Sequence, residues 1–155
     1  MSSEAPALAL LRAVEEFSRT LRETSGVVAR DVGRSRGAVS IVRILERHGS
    51  LQVSDIAHAL RVDISVASRQ VSQLVDDGLV ERAVDDADRR ARSIRLSPAG
   101  RDLAREIAAA YARRATEVFA DWSADDLRHA TATLQRISAT VAPLAPAATD
   151  VLTPA

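Results

Sequence analysis

From Ala7 to about Thr24 the apolar side chains Leu8, Leu11, Val14, Phe17 and Leu21 recur at spacings of three and four, which predicts one greasy face along a helix. A second helix is predicted from the capping hydroxyl of Ser35 through Val39, Val42, Ile44 and Leu45 to His48, with Gly49 as its stop. Between the two, Gly26 and Gly33 bracket a stretch whose pattern assigns no element. Leu51 to Val53 is long enough only for a bridging strand. Val53 or Ser54 then opens a short helix through Ile56, Ala57 and Leu60, and Asp63 or Ser65 starts a fourth. Two short helices joined by so brief a turn predict a helix-turn-helix.

The fourth helix divides cleanly by angle. With Ala67 at zero and about 100° per residue, Val71, Leu74 and Val75 fall within about 80° of it. Ser65, Ser68, Arg69, Ser72, Gln73 and Asp76 occupy the opposite arc. A helix that buries its back in a core and presents side chains to a DNA groove needs this division, and serine, glutamine and arginine are reading groups. The alternative is the solvated face of an ordinary amphipathic helix, although such faces prefer long paired charges over short polar side chains. Asp76 lies beyond the expected contacts, because phosphates would repel it.

After Gly78 the period changes to two. Val80, Arg82 and Val84 alternate with Glu81 and Ala83, then Arg92, Ile94 and Leu96 alternate with Ser93 and Arg95, which predicts a hairpin. Its loop, Asp85 to Ala91, is charged and lacks a tight-turn dipeptide, so it should reach into solvent. Arg89 and Arg90 at such a tip suit a narrow minor groove, or else they tie the loop down. Asp88 is placed to brace Arg90 or Arg92.

Ser97 followed by Pro98 is a strong helix start. A long helix is predicted through Leu103, Ile107 and Val118 to about Ala120. Ser123 with Asp126 resembles a capping box for a last helix through Leu127, Leu134, Ile137 and Val141, ended by Pro143. The alanine-, proline- and threonine-rich tail beyond has little to bury.

Composition narrows the chemistry. The 155 residues are 46% hydrophobic but include only four aromatic side chains, a modest core for a single domain. The opening helix and the last two therefore gain by pairing with a second copy, and a two-fold dimer is expected through them. With no cysteine there is no disulfide, no thiolate metal site and no thiol switch. His48, His58 and His129 are scattered, so no metal is expected. No apolar run reaches membrane-spanning length, which makes a soluble, cytoplasmic protein without membrane contact the expectation. Charge is balanced at 21 arginines and 21 acids, yet Arg89, Arg90, Arg92, Arg95 and Arg101 crowd into 89–101 with no acid among them. Such a stripe focuses potential on an anionic partner; a solvated charged face is the other reading. No catalytic serine, histidine and aspartate set, paired carboxylates or phosphate-binding glycine loop is recognisable, so no enzyme and no cofactor are expected. A module that binds protein instead of DNA is the remaining competitor.

The runs VASRQVSQLVDDGLVER, Val66 to Arg82, and DDADRRARSIRLSPAGRDL, Asp85 to Leu103, resemble the winged helix-turn-helix regulators of the MarR family. Asp88, Arg89, Arg90, Arg92, Leu96, Ser97 and Gly100 follow that family's order of wing, strand and helix start. The resemblance implies a homodimeric transcription regulator, usually a repressor of double-stranded DNA targets, relieved by a small aromatic or lipophilic effector. It implies that Ser65, Ser68, Arg69, Ser72 and Gln73 face the major groove, that Arg89 or Arg90 enters the minor groove, and that Asp88 supports the wing with Arg92. The segment Val27 to Ser40 departs from the family pattern, as do Val84, Asp86 and Ala87 in the wing; effector-binding residues are left unassigned. The expected fold is mostly α with a small β-hairpin wing. An N-terminal dimerisation helix and linker occupy 1–34, a winged helix-turn-helix module 35–97, dimerisation helices 98–143 and a disordered tail 144–155.

Overall fold

The computed structural model describes residues 4–24, 26–84 and 92–144. In chain order they form α1 (Glu4–Thr24), α2 (Gly26–Asp31), α3 (Arg36–His48), β1 (Ser50–Leu51), α4 (Val53–Leu60), α5 (Ile64–Asp76), β2 (Val80–Val84), β3 (Arg92–Leu96), α6 (Pro98–Val118) and α7 (Ala124–Val141). A 3-10 turn over Ala142–Leu144 follows, where Pro143 stops the last helix. The mostly helical fold with a small sheet agrees with the sequence pattern. No helix among the described residues is long and apolar enough to cross a membrane.

Local chemistry sets most boundaries. The Ser35 hydroxyl accepts from the Ala38 N–H at 3.1 Å, and Gly49, at φ +78°, closes α3 by donating to the Leu45 carbonyl. Ser123 and Asp126 form the expected capping box: each accepts from the other's backbone N–H, at 3.0 and 3.1 Å. The Ser123 hydroxyl and N–H together hold the Asp126 carboxyl below the ordinary aspartate range.

Two expectations need correction. The bridging strand is Ser50–Leu51 and not Leu51 to Val53, because the Gln52 N–H donates to the Asp55 carboxylate at 3.2 Å and commits Gln52 and Val53 to the start of α4. The unassigned stretch after Gly26 contains a helix, α2, which buries Val28 and Ala29. Six residues carry too few turns for a periodicity to register.

The sheet is antiparallel in the order β1-β3-β2, with Leu51 opposite Ile94, and Arg82 opposite Ile94 on the other side. Ile41, Val42, Leu45, Ile56, Val71 and Ile94 are the centre of one core. That core runs past 35–97 at both ends, taking in Val28 and Ala29 of α2 and Leu103, Ala104, Ile107 and Ala110 of α6. Helix α6 therefore packs on α2, α3 and β3 as part of one core shared with α4 and α5. Where α3 meets α5, a Cβ on Gly37 would lie 2.7 Å from Nε2 of Gln70, whose buried Oε1 has no hydrogen-bond partner among the described residues.

Beyond Ala110 the picture inverts. The second half of α6 is exposed, and α7 buries no residue at all. Leu8, Leu11, Phe17 and Leu21 of α1 are about half exposed, as are Phe119, Trp122 and Leu134 at the other end of the chain. One bidentate pair links the core to this arm: Arg114 donates from Nε and Nη2 to the two Asp31 oxygens at 2.8 and 2.9 Å, and from Nη1 to Glu117 at 3.0 Å. Arg114 holds the Asp31 carboxyl below its ordinary pKa, and Asp31 raises that of the guanidinium.

Candidate nucleic-acid interface

Helix α5 is fixed from behind. Ala67, Val71 and Leu74 are buried and Val75 half-buried, as the angular division requires. Its leading turn is made by Arg61 in the left-handed region, φ +55°, which swings the chain from α4 into α5. Its trailing end turns at Gly78, φ +71°, and passes straight into β2. Ser65, Ser68, Arg69 and Asp76 are exposed on the opposite face, and Ser72 is half-buried at its edge. Arg69 makes no ion pair among the described residues, so its five donors are available to a ligand.

Gln73 is exposed but engaged. Its Nε2 donates to Asp77 at 3.2 Å, and the same carboxylate takes Arg34 Nη1 at 3.4 Å. Asp77 thus gathers a side chain of the α5 polar face and an arginine from the turn before α3. The i,i+4 spacing of Gln73 and Asp77 is visible in the sequence; Arg34, 43 positions earlier, comes into reach only through the fold. Sequence reasoning also passed over the first turn of α5, where Ile64 is exposed. Its signal is an aliphatic residue at the first helical position, ahead of the core face.

The hairpin is anchored by cross-strand pairs. Glu81 stands opposite Arg95 and accepts from its Nε at 2.7 Å, which offsets part of the positive stripe. Asp88, Arg89 and Arg90 lie outside the described residues. Arg92 is placed by backbone alone, in register with Val84.

Tyr111 is half-buried against the core, whereas Phe119 and Trp122 are exposed, and the three do not line one pocket. The Arg43 guanidinium stacks 4.3 Å from the Tyr111 ring centroid, beside a groove of about 480 Å³ between α3 and α6 lined by Arg43, Glu46, Arg47, Ile107, Ala108 and Tyr111. Phe119 and Trp122 instead meet edge to face at 5.5 Å, exposed at the α6–α7 corner. His48, His58 and His129 stand on three different helices, and no group of three metal-ligating side chains occurs among the described residues.

Helix, turn, helix and hairpin packed on one core invite comparison with known proteins, and residues 35–91 match the family model described as MarR family. Over these residues the chain is similar to the MarR family. The uncharacterized HTH-type transcriptional regulator YwhA of Bacillus subtilis (strain 168) is 34% identical over 80 residues, 52% of this chain and 56% of the relative. The chain spans about half the length of the curated relatives it matches. Among solved structures, a MarR family protein from Bacillus stearothermophilus superposes with a TM-score of 0.78 at 16% identity, over 92% of this chain and 99% of that one. BpsR of Bordetella bronchiseptica, whose DNA binding is regulated by 6-hydroxynicotinic acid, superposes with a TM-score of 0.62 at 18% identity, over 81% and 98%. At these identities the superpositions establish the fold. Within the matched region, α4 and α5 form the helix-turn-helix, and β2, with β3 just beyond that region, forms the base of the hairpin.

Proposed function

We propose that this chain is a homodimeric, sequence-specific DNA-binding regulator of transcription, acting as a repressor on a short inverted repeat. The observation that carries the reading is the exposed arc of Ser65, Ser68 and Arg69 on a helix whose other face is locked into the core. In this reading α5 enters the major groove with Ser65, Ser68, Arg69, Ser72 and Gln73 toward base edges and phosphates. Arg89 and Arg90 follow the minor groove, with Asp88 and Arg92 supporting the wing. The exposed apolar residues of α1 and α7 supply the reason for a second copy, since nothing among the described residues buries them. Two reading helices related by a two-fold axis would meet successive major grooves about ten base pairs apart. Release by a small aromatic or lipophilic compound is proposed by analogy with the ligand-regulated relative, and the groove beside Tyr111 has the size for one.

Selection of bound duplexes from a random pool tests the reading. An inverted-repeat consensus is expected, with Arg69→Ala relaxing base preference and Arg90→Ala weakening binding and lowering the salt slope by about one. Recovery of no consensus, or unchanged binding by both variants, would remove the mechanism.

A further inference from the structure

The first turn of α5 exposes aliphatic side chains for which the core has no use. Ile64, the first helical residue, is 58% exposed, Val66 37%, and Val62 in the preceding turn 38%. The buried face is already filled by Ala67, Val71 and Leu74. On the helical wheel Ile64 lies toward the core side, about 60° from Ala67 and about 40° short of Ser68, yet at the helix end it is uncovered, while Val66 lies about 20° beyond Gln73 on the other flank of the polar arc. These residues are also remote in sequence from α1 and α7, whose own exposed apolar side chains account for a second copy of the chain.

The surroundings identify the occupant. Arg61 and Arg69 are exposed next to this turn, and neither makes an ion pair among the described residues. Two exposed guanidiniums near the aliphatic side chain of Ile64 suit a polyanion that also carries apolar groups, and disfavour a wholly apolar protein face. In the major groove the apolar group on a base edge is the C5 methyl of thymine, and the N-terminal residues of a reading helix are the ones that reach base edges.

We propose that Ile64 is a specificity-determining residue that packs on a thymine methyl in each half-site. The inference rests on the DNA-reading function proposed above and adds a base identity to it. Serine, glutamine and arginine read by hydrogen bonds; Ile64 reads by the loss of water from a methyl group, which none of them can do.

The test replaces each thymine of the selected site, one at a time, by uracil. This removes the methyl and keeps every hydrogen-bonding group. Dissociation constants are measured by fluorescence anisotropy for the wild type, Ile64→Val and Ile64→Ala. At one thymine of each half-site, uracil is expected to weaken wild-type binding about fourfold, the loss for one methyl leaving an apolar contact. Ile64→Val should keep part of that discrimination. Ile64→Ala should bind thymine and uracil sites equally, with its melting temperature and its binding to unrelated duplex unchanged. The inference is overturned if no uracil replacement weakens wild-type binding, or if the loss persists in Ile64→Ala. A wild-type protein that selects no duplex overturns the proposed function as well, whereas a selected site without methyl dependence overturns this inference alone.

Discussion

A Cβ on Gly100 would stand 1.9 Å from the carbonyl oxygen of Leu79. The two backbones approach so closely because Ser97 ties them together: its N–H donates to the Leu79 carbonyl at 3.1 Å, its hydroxyl donates to the Gly78 carbonyl at 2.6 Å, and it accepts from the Gly100 N–H at 3.0 Å. The start of α6 is thereby fixed to the turn that ends α5. In a dimer built on α6 and α7, that contact would set the angle at which the reading helix is presented.

Gly100→Ala must push backbone against backbone, which no rotamer change relieves. A loss of about 3 kcal/mol or more is expected from such an overpacked contact, against about 1 to 2 kcal/mol for Ser97→Ala, which removes a cap and leaves the Gly78 carbonyl short of a partner. Urea denaturation of the two variants tests the ranking; a Gly100→Ala protein as stable as wild type would show that the turn can yield.

Asp77 holds Gln73 and Arg34 in one place, and both groups face the same end of α5. Asp77→Ala should free Arg34 for phosphate contact and let Gln73 swing. The expected result is tighter binding to unrelated duplex, a salt slope steeper by about one, and a smaller ratio of specific to unrelated affinity. Melting should change little, because a partly exposed pair contributes only about 0 to 1 kcal/mol. Salt titrations of both duplex types decide it: an unchanged slope would mean that Arg34 is not released.

Asp31 has its pKa held below the ordinary 3.8 by Arg114. The folded state therefore binds fewer protons than the unfolded state in this window. The stabilisation is complete above the unfolded value and is lost as pH falls from there through the depressed one. Asp31→Asn should melt earlier at pH 7 yet lose less further stability than wild type between pH 5 and pH 3, a range spanning about one unit above and below the unfolded value. Parallel melting curves at the three pH values check this, and an equal acid loss in both proteins would rule the pair out as a contributor.

The exposed faces of α1 and α7 make a prediction about assembly. A charge placed in the proposed seam, as in Phe17→Glu combined with Leu134→Glu, should yield a monomer in sedimentation while the helical circular dichroism of the core persists. Its affinity for an inverted repeat should fall steeply, since two coupled half-sites become independent. A double variant that sediments as wild type would place the contact elsewhere.

The sequence by itself determined the elements whose signals are local. Ser35, Ser97 and Ser123 satisfy N–H groups three residues on; Gly49 and Gly78 supply positive φ where helices stop; and the angular split of Ile64–Asp76 separates Ala67, Val71 and Leu74 from Ser65, Ser68 and Arg69. These are properties of a few adjacent residues, so they can be read in order along the chain. Tertiary structure alone decided what depends on distant partners: that α2 is a helix buried under the core, that Asp77 gathers Arg34 with Gln73, that Asp31 meets Arg114, and that Gly100 is small because Leu79 is there. It also decided that Ile64 faces water although its position on the wheel lies toward the buried side. Helical angle fixes direction around an axis, but burial depends on whether another element extends far enough to cover that end, and no described element covers Ile64.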